Sequence, residues 1–209
     1  MPQWTPRRKY KNEDADSIAE IRISEKDSSP TSLTGNKLYF YGDIDGDTAL
    51  SWNKQLDEIS RNLKVAQSLY DLATPPILQI FIYSDGGDLF SSLSIAGRIE
   101  LLKSKGFIID TFIDGFCASG ATLISVVGNK RFIHKHACML IHQLSSSFWG
   151  TYKEFQDENK NVEMMMNKIH NVYRIYAKFN KEELDNILSH DIYLSPDECL
   201  KFGLVDEIL

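Results

Sequence analysis

The sequence predicts an α/β fold on a parallel sheet, with one long helix protruding from it, and three observations carry the prediction. An apolar run at 77–83 ends in Ser84-Asp85-Gly86-Gly87-Asp88, after which Phe90, Leu93, Gly97 and Leu101 recur at helical spacing. A second apolar run at 107–114 leads through Gly115-Phe116-Cys117-Ala118-Ser119-Gly120-Ala121 into an apolar helix ending near 127. Two successive strand, turn and helix units imply parallel strands joined by right-handed crossovers, which bring Gly86-Gly87 and Ser119-Gly120 to one sheet edge, where open α/β sheets place their sites. Third, residues 151–179 contain no proline or glycine, and Phe155, Val162, Met166, Ile169, Tyr173 and Tyr176 trace one apolar face. That predicts a helix of roughly eight turns, long for so small a domain.

The other elements follow in chain order. Residues 1–35 are polar and charge-mixed, with one short apolar patch at 18–23, and read as an arm. The basic run Arg7-Arg8-Lys9 is followed closely by Glu13, Asp14 and Asp16, so it reads as solvated. Leu38-Tyr39-Phe40-Tyr41 predicts a strand, ended by the turn residues of Gly42-Asp43-Ile44-Asp45-Gly46. Trp52, Leu56, Ile59 and Leu63 mark an amphipathic helix that Pro75-Pro76 stops. Short strands are expected at 131–133 and 137–141, with His142 at the end of the second. A helix at 180–188, a strand at 192–194 and an extended end at 205–209 complete the chain. Ser195-Pro196-Asp197-Glu198 is a helix start with a capping serine, a first-turn proline and a capping-box glutamate.

Composition excludes several function classes. A chain of 209 residues suits one domain, and the formal net charge of −6 with no aromatic-studded basic patch argues against nucleic acid. No apolar stretch reaches membrane length and no signal-peptide core opens the chain, so a soluble, cytoplasmic protein is expected, with no membrane partner. Three cysteines, Cys117, Cys138 and Cys199, lack metal-type spacing and suit a reducing compartment.

Covalent amide cleavage needs a hydroxyl nucleophile, a base, a group orienting the base, and N–H donors for the oxyanion. Ser119, His142, Asp191 and the N–H groups of Gly87 and Gly120 supply one candidate for each. Taken alone, the segment around Ser119 reads equally as small residues that let a helix pack on a sheet. Cys117 is an alternative nucleophile, although a small hydrophobe is its usual role at a strand end. The order Ser, His, Asp and the cysteine at 117 depart from the G-x-S-x-G elbow of α/β-hydrolases. His134, His136, His170 and His190 read as solvated or structural, and Asp85 with Asp88 lacks a third ligand, so no metal is expected.

From Lys37 to Leu209 the sequence resembles the proteolytic subunit of the Clp protease. Ser84-Asp85-Gly86-Gly87 is similar to that family's S-P-G-G turn, and 115–121 to its nucleophile segment. Leu140-Ile141-His142-Gln143 resembles its M-I-H-Q motif, and Asp191-Ile192-Tyr193-Leu194-Ser195 with Phe202-Gly203-Leu204-Val205-Asp206 resembles its acid segment and C-terminal signature. The resemblance implies the β-β-α superhelix shared with crotonases, a divergent arm at 1–35 and a peptidase domain at 36–209, with the long helix as an interdigitating handle. It makes Ser119 the nucleophile, His142 the general base, Asp191 its orienter, Gly87 and Gly120 the oxyanion hole, and Asp88 and Leu89 substrate-binding. It further implies no cofactor, heptameric rings paired into a tetradecamer, an AAA+ unfoldase partner, and peptides or unfolded proteins as substrates. Three departures stand out. Asp85 and Asp88 replace a proline and a small apolar residue, which is expected to discourage acidic substrates. Gly120 replaces methionine, which is expected to enlarge the adjacent pocket. The arm does not match the family's axial gate, which weakens the inference of an unfoldase. Alternative readings are a crotonase-type acyl-CoA enzyme and a non-catalytic ring subunit of a mixed Clp complex.

Overall fold

A computed structural model describes residues 31–209. The arm residues 1–30, with their basic run and apolar patch, lie outside the described residues. Residues 31–34, read with the arm, form a strand instead: β1 (Thr31–Thr34) pairs antiparallel with β2 (Lys37–Tyr41). Gly35, at φ 63°, makes the tight reversal between them, a conformation that costs glycine little.

The predicted parallel sheet then unfolds in order. Helix α1 (Gly46–Leu69) is capped by Asp45, whose carboxylate accepts from Thr48 N–H at 2.7 Å. Strand β3 (Ile77–Ser84) lies parallel to β2 and leads into α2 (Leu89–Ser104), and β4 (Ile108–Ala118) lies parallel to β3. A six-residue α3 (Gly120–Ser125) follows, then β5 (Arg131–Ile133) and β6 (Cys138–Leu140). The long helix α4 (Tyr152–Tyr176) opens with a capping box between Thr151 and Glu154. Helices α5 (Lys181–Leu188) and α6 (Pro196–Lys201) each begin with a capping box, and β7 (Glu207–Ile208) ends the chain beside β5. The sheet order is β1-β2-β3-β4-β5-β7, with β6 on β4. Among the described residues no helix is long and apolar enough to cross a membrane.

Two sequence expectations change here. The strand expected to end at 114 runs on to Ala118, so the segment read as a turn into a helix is mostly strand. The reason is non-local: besides β3, β4 has two further partners in succession, β5 along 111–113 and β6 along 116–118. It changes partner at Gly115, whose φ of 118° and closeness to the Tyr83 ring leave no room for a side chain. The strand expected at 192–194 is reduced to one antiparallel bridge, Leu194 to Met139.

The core lies between the sheet and the helices. Trp52, Leu56 and Ile59 of α1, Ile95 and Ile99 of α2, and Ile80, Ile82, Ile109 and Ile113 of the sheet are buried together. Each such side chain contributes about 1.5–3 kcal/mol on burial. On the alternate strand positions the half-buried rings of Tyr39, Phe81, Phe112 and Phe132 stack across four neighbouring strands, with centroids 4.5–4.8 Å apart. Arg131 ties the far edge together. Its guanidinium grips both Asp206 oxygens, and its Nη1 donates to the carbonyls of Tyr176 and Gly203. The end of α4 and the C-terminal segment are thereby anchored to β5.

Candidate active site

The site forms where β3 and β4 end side by side. Ser119 follows β4, and its N–H donates to Leu140 O of β6 at 2.8 Å. Its φ of 52° and ψ of −126° place a non-glycine residue where side chains rarely go, a strain of order 1–3 kcal/mol. Gly86 and Gly87, at φ 96° and 145°, turn the end of β3 against it. A Cβ on Gly86 would stand 2.7 Å from Ser119 Cβ and 2.8 Å from Gly120 N, and one on Gly87 would stand 2.1 Å from Ile44 O. Both glycines are therefore required by close approach. Ile44 N–H donates to Gly86 O and Asp88 N–H to Ile44 O, both at 2.8 Å, which locks the turn from its other side. Ser84 Oγ accepts from Gly86 N–H at 3.0 Å and donates to Gly42 O at 2.6 Å, a bracing role that sequence reasoning missed. Neither Gly87 N–H nor Gly120 N–H is used in a hydrogen bond among the described residues.

His142 reaches the same place from β6. Met139 and Leu194 exchange two backbone hydrogen bonds, 3.1 and 2.7 Å long, in an antiparallel bridge. Antiparallel pairing moves the two chains in opposite directions, so three residues beyond Met139 faces three residues before Leu194. Those residues are His142 and Asp191. Their closest approach is Nδ1 to Oδ1 at 3.9 Å, with the His142 side chain 22% exposed and that of Asp191 81% exposed. No hydrogen bond joins Ser119 Oγ to His142 among the described residues.

Ser119, Gly120, Gly87, Asp88, Leu89 and His142 line one cavity of about 350 Å³, and Asp191 stands outside its lining, behind His142. Leu123, Leu144, Met165, Ile169 and Tyr173 give this cavity an apolar wall. The Asp88 carboxylate caps α2, accepting from Ser91 N–H at 2.8 Å and Ser91 Oγ at 2.7 Å. Gly120 does not open extra space in the way its lack of a side chain predicts. A Cβ there would lie 2.3 Å from Ser92 Oγ, which is held by Asp88 O at 2.8 Å. Serine at 92 thus fills the room that glycine at 120 leaves, and only packing reveals this pairing.

The remaining sequence candidates fall elsewhere. Cys117 is fully buried, and burial pushes its thiol up to about 12, so the thiolate needed for attack does not form there. His134, read as solvated, stands 3.4 Å from Asp114, and His170, within the long helix as expected, stands 3.4 Å from Asp185 of α5. Among the described residues no cluster of histidine, cysteine or acidic side chains could hold a metal.

Comparison with known proteins agrees with this architecture. A family model described as Clp protease matches residues 37–209. The chain is 25% identical over 134 residues to an ATP-dependent Clp protease proteolytic subunit of Deinococcus radiodurans, a match spanning 63% of this chain and 64% of that protein. It is 28% identical over 160 residues to ATP-dependent Clp protease proteolytic subunit 2 of Chlamydia trachomatis, spanning 75% of this chain and 77% of the relative. Among solved structures, a ClpP1 mutant from Listeria monocytogenes superposes with a TM-score of 0.69 at 22% identity, covering 84% of this chain and 91% of that one. That likeness shows the fold.

Proposed function

The chain belongs to the Clp protease family, and from that membership we propose that it is a serine endopeptidase subunit cleaving peptides or unfolded proteins inside an oligomeric chamber. The observation that carries the reading is the one cavity lined by Ser119, His142, Gly87 and Gly120, the last two with N–H groups that no hydrogen bond uses among the described residues. In this reading Ser119 Oγ attacks the scissile carbonyl while its proton passes to His142 Nε2. The carbonyl oxygen, now negative, accepts from Gly87 and Gly120 N–H. The C–N bond then breaks as His142 returns the proton to the leaving amine, and water cleaves the acyl-enzyme by the reverse route. Asp191 faces Nδ1 and leaves Nε2 for Ser119. Its 3.9 Å separation exceeds a hydrogen bond, so the productive state draws it in by about 1 Å. Leu89 and the apolar wall suit an apolar side chain beside the cut bond, and Asp88, whose carboxylate caps α2, lines the cavity beside them.

Self-association is supported by the exposed aromatic rings leading into α4. The Trp149 side chain is 98% exposed and Tyr152 80%, and Phe155 and Met164 are also exposed along the first half of the helix. We assign this half as the handle between two heptameric rings, residues 36–209 as the peptidase domain, and an AAA+ ATPase as the partner, in a soluble, cytoplasmic assembly. The competing reading, a non-catalytic subunit of a mixed ring, is favoured by the unmade bond between Ser119 and His142. Labelling the pure protein with a fluorophosphonate separates the two. An adduct on Ser119, with peptide cleavage and a ring-sized mass by light scattering, is expected. Peptide cleavage with the adduct elsewhere sinks the triad, and a stable active monomer sinks the chamber.

A further inference from the structure

Tyr173 of α4 is 1% exposed, yet it lines the cavity and its hydroxyl lies 2.6 Å from Thr122 Oγ1. Thr122 Oγ1 in turn donates to the Ser119 carbonyl at 2.5 Å. A carbonyl only accepts, so the one hydroxyl proton of Thr122 is committed to Ser119 and the phenol must donate to Thr122. The direction of the chain is thereby set, from Tyr173 O–H through Thr122 O–H to the Ser119 carbonyl. Thr122 N–H donates to the same oxygen at 3.0 Å. Burial, outweighing the opposing effect of the Thr122 hydrogen bond, holds the Tyr173 phenol far above its ordinary range, so it remains a donor.

The Ser119 carbonyl and the Gly120 N–H belong to one planar peptide unit. Hydrogen bonds that draw electron density onto the oxygen make the N–H at the other end a stronger donor, and they hold the plane at one angle. That N–H is the oxyanion donor in the peptidase reading, on which the following rests. We propose that Tyr173 and Thr122 are positioning residues for the oxyanion hole: their hydroxyl relay orients and polarises the peptide joining Ser119 to Gly120. The long helix thus contributes to the chemistry through one buried phenol as well as lining the cavity. Neither residue touches the reacting atoms.

Tyr173→Phe removes the donor and keeps the ring, and Thr122→Val removes the middle hydroxyl and keeps the shape. Each is expected to lower kcat about tenfold with KM unchanged, a weakening of one oxyanion donor where its full loss costs about 10²–10³. Affinity for a peptidyl boronic acid, which forms a tetrahedral adduct, should fall by the same factor while binding of a product peptide stays constant. The double variant should lose no more than either single one, and Thr122→Ser should restore the rate. Amide exchange at Thr122, whose N–H donates to the Ser119 carbonyl, should quicken in Tyr173→Phe. Wild-type labelling at Ser119 with unchanged kcat and boronate affinity in both variants overturns the relay alone, even if their melting temperatures drop. Equal losses for boronate and product peptide overturn it too, because they indicate general disorder. A wild-type protein that cleaves peptides but takes no label at Ser119 removes Ser119 as the nucleophile and the oxyanion assignment together.

Discussion

The bridge between Met139 and Leu194 sets His142 opposite Asp191. Two backbone hydrogen bonds hold together segments more than fifty residues apart in sequence, and the antiparallel register does the rest. The relative placement of base and acid is therefore a property of the backbone. The acid's side chain stays exposed, so its final approach to the imidazole is free to depend on what surrounds it.

Asp191→Asn tests that relationship. The backbone bridge should survive, leaving the melting temperature within a degree or two, while kcat falls by about 10²–10⁴ because the imidazole loses its orienting partner. Steady-state kinetics beside a thermal melt checks this, and unchanged turnover would remove Asp191 from the site.

Backbone strain at Ser119 gives a second prediction. Ser119→Gly relieves the positive φ and should stabilise the fold by about 1 kcal/mol, net of the flexibility glycine adds to the unfolded chain, while abolishing covalent labelling. Urea denaturation reads the sign. A loss of stability would mean that the strain is illusory.

The pairing of Gly120 with Ser92 predicts coupling. Gly120→Ala puts a methyl 2.3 Å from Ser92 Oγ and should cost about 1–3 kcal/mol and most of the activity. Ser92→Gly in the same chain removes the clashing atoms and should recover much of both, a non-additive result in a double-mutant cycle. Strict additivity would show that the two positions do not share space.

Asp206 predicts the acid limb of stability. The Arg131 side-chain hydrogen bonds hold its carboxyl below the usual carboxylate range. A depressed folded-state pKa contributes stability above the unfolded value and loses it as pH falls through the folded one. Asp206→Asn should therefore destabilise the protein by about 1 kcal/mol at neutral pH, a modest loss because Asp206 is 43% exposed and its pairing with Arg131 is screened by solvent. The gap from wild type should narrow in melts below about pH 4. A gap independent of pH would show that packing, not charge, explains the loss.

What the sequence by itself determined is local. Apolar periodicity marked α1, α2 and α4, the glycine turn at 86–87 marked the end of β3, and the capping residues at 195–198 marked α6, because each signal lies within one or two turns of chain. Serine, histidine and aspartate could be named as candidates, since their chemistry and order are written in the chain. Tertiary structure alone decided the rest. The change of β4 from β5 to β6 extended a strand through Phe116, Cys117 and Ala118, and pairing with β2 drew residues 31–34 into the sheet. The Asp88 carboxylate became a helix cap, Ser92 filled the space beside Gly120, and Tyr173 met Thr122 across 51 residues. Each of these depends on atoms that meet only after distant segments pack, and neither residue type nor spacing records where a side chain from another element will arrive.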